Sequence, residues 1–149
     1  MNDEPTPREK MAQRYARHTL ALMLGQGYAH PLTVAGPDGR EPAPPELVAR
    51  RYPDNAAAAL IELVRRSASD WEHANDSTQH ESARGIYEQQ HLDHARAAEI
   101  VAEWFGCRLD WPGLYPTIHD AHGRTHHPDT DTLSTYARPL RDSIAAPHA

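Results

Sequence analysis

His18, His91 and His94 fall on lines of apolar residues spaced by three and four, at places where a helical bundle ordinarily carries Leu or Ile. The first line is Met11, Tyr15, His18, Leu22. The second is His80, Ala83, Tyr87, His91, His94, Ala98, Val101, Phe105. Imidazole titrates near neutrality and is the commonest protein metal ligand, so inward imidazoles suit a metal site or proton transfer. With Glu88 as a further ligand or base, His18, His91 and His94 would hold zinc or iron. An open position on that metal would bring the pKa of bound water towards neutrality. Convergence requires the first and last long helices to pack as antiparallel neighbours. In the competing arrangement the same imidazoles bond to Tyr15, Tyr87 or backbone carbonyls at a half-exposed helix boundary.

Glu88-Gln89-Gln90-His91 has the Glu-x-x-His spacing of di-iron carboxylate bundles. Those sites need two such motifs and two further glutamates. The chain adds only Asp70-x-x-His73, and its first helix has no inward glutamate, so no family follows from the spacing. A second candidate cluster is His119, Asp120, His122, His126 and His127, with Asp129 and Asp131 beside it. His119-Asp120 is the dipeptide that metal phosphohydrolases set in a helical core, whereas here prolines and glycines surround it. A histidine-rich tract of this kind chelates divalent metals without any fold.

Other chemistries lack their residues. Gly25-Gln26-Gly27 ends a helical pattern rather than opening one, so no phosphate loop is present, and there is no Gly-x-Ser-x-Gly elbow. The single cysteine, Cys107, excludes an internal disulfide and a Cys-based zinc module, and reads as a small buried hydrophobe. A net charge of -6 argues against nucleic acid as a partner, despite the Arg50-Arg51 and Arg65-Arg66 pairs. No signal-like start and no spanning apolar run are visible, which gives the expectation of a cytoplasmic protein without membrane contact.

The elements that must position these residues are helical. Thr6-Pro7-Arg8-Glu9 is a helix start with a capping threonine, Pro at the first position and glutamate three residues after the cap. Residues 29–45 read as a loop, with Leu32-Thr33-Val34 as one arm of a short hairpin. A short helix runs from Pro45 to Arg51. The next starts at Asp54 or Asn55, carries Ala57, Leu60, Val64, Ala68 and Trp71, and ends near Asn75. Thr78-Gln79-His80-Glu81 reads as a second capping box, and its helix continues to Phe105 and Gly106. From Cys107 onward Pro112, Gly113, Pro116, Gly123, Pro128 and Pro139 are expected to break every element, Thr130 to Tyr136 making one turn and the last ten residues a free tail.

The resulting expectation is an all-α fold in one domain, 1–149: a small bundle of three main helices plus one short helix. Its ordered core covers about 6–118, and an irregular Pro/Gly/His-rich C-terminal loop and tail covers 119–149. Leu, Ile, Val and Phe number only 22, with 23 alanines filling in, so the core is thin and open to completion by a protein partner or a second copy. The missing catalytic signature favours a non-catalytic interaction or regulatory module using faces that include Trp71, Trp104 and Trp111. The alternative is a metal-binding bundle, a metal-dependent hydrolase in its sharpest form. Catalytic residues are not assigned, and no organic cofactor is implied.

Overall fold

The computed structural model describes residues 4–24, 33–42 and 44–145. Helix α1, Pro7–Met23, starts as its sequence requires: the Thr6 hydroxyl accepts from the Glu9 N–H at 3.1 Å, and Pro7 occupies a position that needs no donor. The Glu9 carboxylate does not fold back to complete the capping box. It reaches across to Arg96 instead. The stripe that α1 buries is Ala12, Ala16, Thr19 and Leu20, so the expected line through Met11, His18 and Leu22 is rotated out of the seam. Small side chains let the helix backbone approach its neighbours closely, and dense packing rewards that approach.

Strands β1, Thr33–Gly36, and β2, Gly39–Pro42, form the antiparallel hairpin for which Thr33 and Val34 were one arm. Gly39 supplies the positive φ of +115° that its turn needs. Leu32 lies outside the described residues. Helix α2 spans Pro45–Arg51 and is followed at once by α3, Pro53–Ala74. Pro53 opens α3, so neither Asp54 nor Asn55 is its cap. Asn55 instead donates its amide to the Met23 carbonyl at the end of α1. Helix α4, Glu81–Trp104, is capped by His80, whose Nδ1 accepts from the Ser82 N–H. Thr78 is not the cap, because its N–H and hydroxyl both donate to Asp76 Oδ1 two residues earlier.

The C-terminal third corrects the all-α expectation. Among the described residues the chain is mostly helical, with five α-helices, but β3 (Arg108–Asp110), β4 (Thr117–His119) and β5 (Thr125–His126) make an antiparallel sheet in that order. Leu109 faces Ile118 across β3 and β4, and both are buried. Pro112, Gly113 and Pro116 sit in the β3–β4 connection, where no ladder donor is needed, and Gly123 (φ +80°) turns β4 into β5. These residues punctuate strands rather than prevent them. The expected free tail is overturned as far as residue 145, residues 146–149 lying outside the described ones: a 3₁₀ turn, Leu133–Tyr136, leads into helix α5, Ala137–Ala145, whose Leu140 and Ile144 pack on α3.

Helices α3 and α4 form an antiparallel hairpin and α1 lies against both. The end of α1 meets the start of α3 through Met23 and Asn55, while Arg8 meets Asp93 and Glu9 meets Arg96 on α4. Helix α1 therefore runs parallel to α4, not antiparallel. One continuous core joins Leu20, Leu60, Leu63, Val64, Val101, Phe105, Leu109, Ile118, Leu140 and Ile144, with alanines filling the helix seams. Its bulky members belong to the later turns of α1 and α4, the earlier turns of α3, the sheet and α5. Towards the α3–α4 connection they give way to polar and aromatic side chains. Among the described residues no helix is long and apolar enough to cross a membrane.

Candidate functional site

The last turns of α3 and the first turns of α4 are joined by polar contacts where a bundle usually has hydrocarbon. The fully buried Ser67 hydroxyl donates to the His91 carbonyl at 3.1 Å, and His91 Nδ1 donates back to the Ser67 carbonyl at 2.9 Å. One turn along α3, Asp70 Oδ2 accepts from His94 Nδ1 at 2.5 Å. Rings pack around these bonds: Trp71 lies 5.2 Å from His91, Tyr15 of α1 lies 4.8 Å from His94, and His73 stacks on Tyr87 at 4.6 Å. Arg8 completes the group from α1, donating to the buried Asp93 at 3.4 Å.

An aspartate that holds an imidazole in one tautomer is half of a general-base device. Here the geometry serves packing. Asp70 and His94 are each about nine-tenths buried, and the neighbouring Ser67 hydroxyl is engaged by a backbone carbonyl. The bonds tie α3 to α4 as the sequence allowed for half-exposed imidazoles, although Ser67 and Asp70 are partners in place of Tyr15 and Tyr87. Those two tyrosines contribute ring contacts instead.

The structure separates the first ligand set. His94 is buried and His91 half-buried, but His18 is exposed one turn beyond Tyr15, and Glu88 is exposed on α4. The physical cause is the face that α1 buries, which is Ala12, Ala16, Thr19 and Leu20. Tyr15 is the α1 side chain that meets His94, and His18, one turn further on, lies on the exposed side of the helix. Among the described residues, no three His, Cys, Asp or Glu side chains are grouped so as to hold a metal ion.

The C-terminal cluster is ordered and likewise dispersed. Strand alternation sends Ile118 and Asp120 to the inner side and His119 to the outer, where His119 Nε2 donates to Asp110 at 2.7 Å. Asp120 organises the β4–β5 turn. Its carboxylate accepts from the His122 and Arg124 N–H groups at 2.9 and 3.0 Å, from Arg124 Nε at 3.1 Å and from His126 Nε2 at 3.0 Å. Burial opposes its ionisation, yet the bonds from His126, Arg124 and His122 prevail and bring its pKa down to about 2. His122 Nε2 donates to the Ser143 carbonyl, tying the hairpin to α5, and His127 lies 3.4 Å from the Thr117 hydroxyl. Of the five candidate residues, Asp120 and His126 meet through their side chains, and His122 reaches Asp120 through its backbone N–H. Cys107 is buried as expected; burial, with the nearby Asp120 charge, pushes its thiol up to about 12.

A feature outside both candidate sets is a cavity of about 300 Å³ between α1, α2 and α4. Glu9, Gln13 and Arg17 line it from α1, Arg96, Ile100, Glu103 and Trp104 from α4, and Glu46 from the first turn of α2. Arg96 is fully engaged there. Its Nε and one terminal nitrogen donate to Glu9 at 2.8–3.1 Å, and the other terminal nitrogen to Glu99 and Glu103 at 3.4 and 3.3 Å. Those bonds hold the Glu9 carboxyl below its ordinary range and raise the Arg96 guanidinium. The sequence carries a signal for this wall: Glu9, Gln13, Arg17 and Arg96, Ile100, Trp104 are both spaced by four. It is audible only once α1 and α4 are known to be parallel neighbours. No family model matches the chain, and no curated protein or solved structure is significantly similar to it.

Proposed function

We propose that the chain is a non-catalytic protein-interaction module, and that it binds through the half of the bundle carrying the α3–α4 connection. One observation supports this above the others. The exposed large apolar side chains Trp71, Ile86 and Leu92 lie on the last turns of α3 and the first three turns of α4, with Ile86 60% and Leu92 49% exposed. The thin, alanine-filled core lies towards the other end, so these side chains add nothing to it. Burying such groups against a partner contributes about 1.5–3 kcal/mol each when burial is complete. The partner is a second copy of the chain or another protein with an apolar face. The ionisable groups beneath are already paired within the bundle, which leaves association to apolar contact around a polar, rigid frame.

Sedimentation velocity across a concentration series, paired with crosslinking in a lysate of the source cell, tests the proposal. A self-association or a specific crosslinked partner that is lost in an Ile86→Glu, Leu92→Glu variant supports it. A monomer at every concentration, with crosslinks indifferent to that variant, removes it. Both positions are exposed, so the variant is expected to keep the fold, which its circular dichroism verifies.

A further inference from the structure

We infer that the cavity between α1, α2 and α4 is a binding site for a small zwitterion, a free α-amino acid with an apolar side chain. The inference is independent of the interaction surface proposed above and uses none of its residues. Its starting point is an imbalance among the charges around the cavity. Arg96, Glu9 and Glu103 bond to one another and make a fixed wall that carries one net negative charge. Arg17 and Glu46 also line the space, yet among the described residues neither has an ionic partner, and the two do not reach each other. A guanidinium and a carboxylate thus face one cavity with a gap between them.

The floor of that gap is apolar. Ile100 is only 6% exposed, and the Trp104 indole packs partly against the core. A purely anionic ligand would answer Arg17 and meet the carboxylates; a purely cationic one would leave Arg17 unanswered. An α-amino acid answers both. Its carboxylate takes the planar donor fork of Arg17, and its ammonium takes Glu46 with the Trp104 ring as a further cation-binding face. Its side chain then covers Ile100. A volume of about 300 Å³ is at the small end of ligand sites and suits one amino acid rather than a peptide. The parallel helices that make the wall are fixed to one another by the Glu9–Arg96 pair, so the site exists before the ligand arrives.

The test is an NMR titration of the ¹⁵N-labelled full chain with L-leucine, N-acetyl-L-leucine and L-leucinamide. L-Leucine is expected to produce saturable shifts at the Trp104 indole N–H and at the backbone of Arg17, Glu46 and Ile100. The two blocked analogues, each lacking one charge, are expected to bind about tenfold more weakly or worse, a difference of about 1.4 kcal/mol. Arg17→Gln and Glu46→Gln each weaken L-leucine by a similar factor. Both residues are exposed, and the variants' own spectra report whether the fold is kept. Absence of saturation at millimolar L-leucine overturns the inference. Equal binding of all three compounds, or shifts away from the cavity, overturns it too, and these readings do not depend on any variant.

Discussion

His94 donates from Nδ1 to Asp70 at 2.5 Å across the α3–α4 seam, and both side chains are 11% exposed. The carboxylate only accepts, so the bond places the proton on Nδ1 and fixes the tautomer. Tyr15 closes over the imidazole from α1, which brings all three long helices to one buried polar point. The pair occupies a place where hydrocarbon would pack at least as well. Its consequence is therefore positional: it sets how α3, α4 and α1 register against one another.

Removing one partner of that pair should be far costlier than removing both. Asp70→Ala leaves a buried imidazole N–H without an acceptor, and a loss of about 3 kcal/mol is expected. An Asp70→Leu, His94→Leu double variant fills the same space with hydrocarbon and should come within about 1 kcal/mol of the parent. Urea unfolding of the full double-mutant cycle checks this. Single variants that each lose less than about 1 kcal/mol would show that the pair does not tie the seam.

Asp120 makes stability depend on acid. Its folded pKa is about 2 against an ordinary 3.8, so its contribution is complete above the unfolded value and disappears as pH falls through about 2. The shift corresponds to roughly 2 kcal/mol. Thermal melts at pH 6 should place Asp120→Asn well below the parent, and the difference should shrink between about pH 4 and pH 2. A gap that stays constant over that range would assign the loss to the altered hydrogen bonds alone.

Cys107 should behave as an inert thiol while the chain is folded. It is buried against the sheet, and its pKa of about 12 leaves almost no thiolate at pH 8. An Ellman titration is expected to show no reaction within minutes in buffer and one equivalent in concentrated urea. Prompt reaction of the native chain would contradict the burial.

Helices α1 to α4 were legible because their end signals are local: Thr6 before Pro7, Pro45, Pro53 and Gly106 all mark ends that the structure uses, whereas α5 has no such signal and was read as tail. Which side of α1 faces inward was not. Tyr15 and Leu22 outrank Ala12 and Ala16 in hydrophobicity, but alanines allow close helix contact, and that choice depends on neighbours the sequence does not name. The sheet was missed because its strands are two or three residues long and their single buried pair, Leu109 and Ile118, gives no periodic signal. His91 and His94 were recognisable as anomalies. Their partners, Ser67 and Asp70, lie 24 residues earlier, and the register of the α3–α4 hairpin alone brings them together.

Two glycines at opposite ends of α4 should respond to alanine with opposite signs. Gly85 is exposed inside α4, with nothing within 4 Å of an added Cβ, so Gly85→Ala removes only backbone freedom from the unfolded chain. A gain of about 1 kcal/mol is expected. Gly106 ends the same helix at φ +81°, where an L side chain is strained, and its added Cβ would lie 3.3 Å from the Ala121 Cβ. Gly106→Ala should therefore lose about 1–2 kcal/mol from the left-handed backbone, with a further cost for displacing the β4–β5 turn. That turn holds Asp120, so the Gly106 variant should also weaken the acid dependence described above, whereas the Gly85 variant should leave it intact. Urea unfolding at pH 6 and pH 3 reads both effects. A stabilised Gly106→Ala would mean that α4 ends in a different backbone conformation.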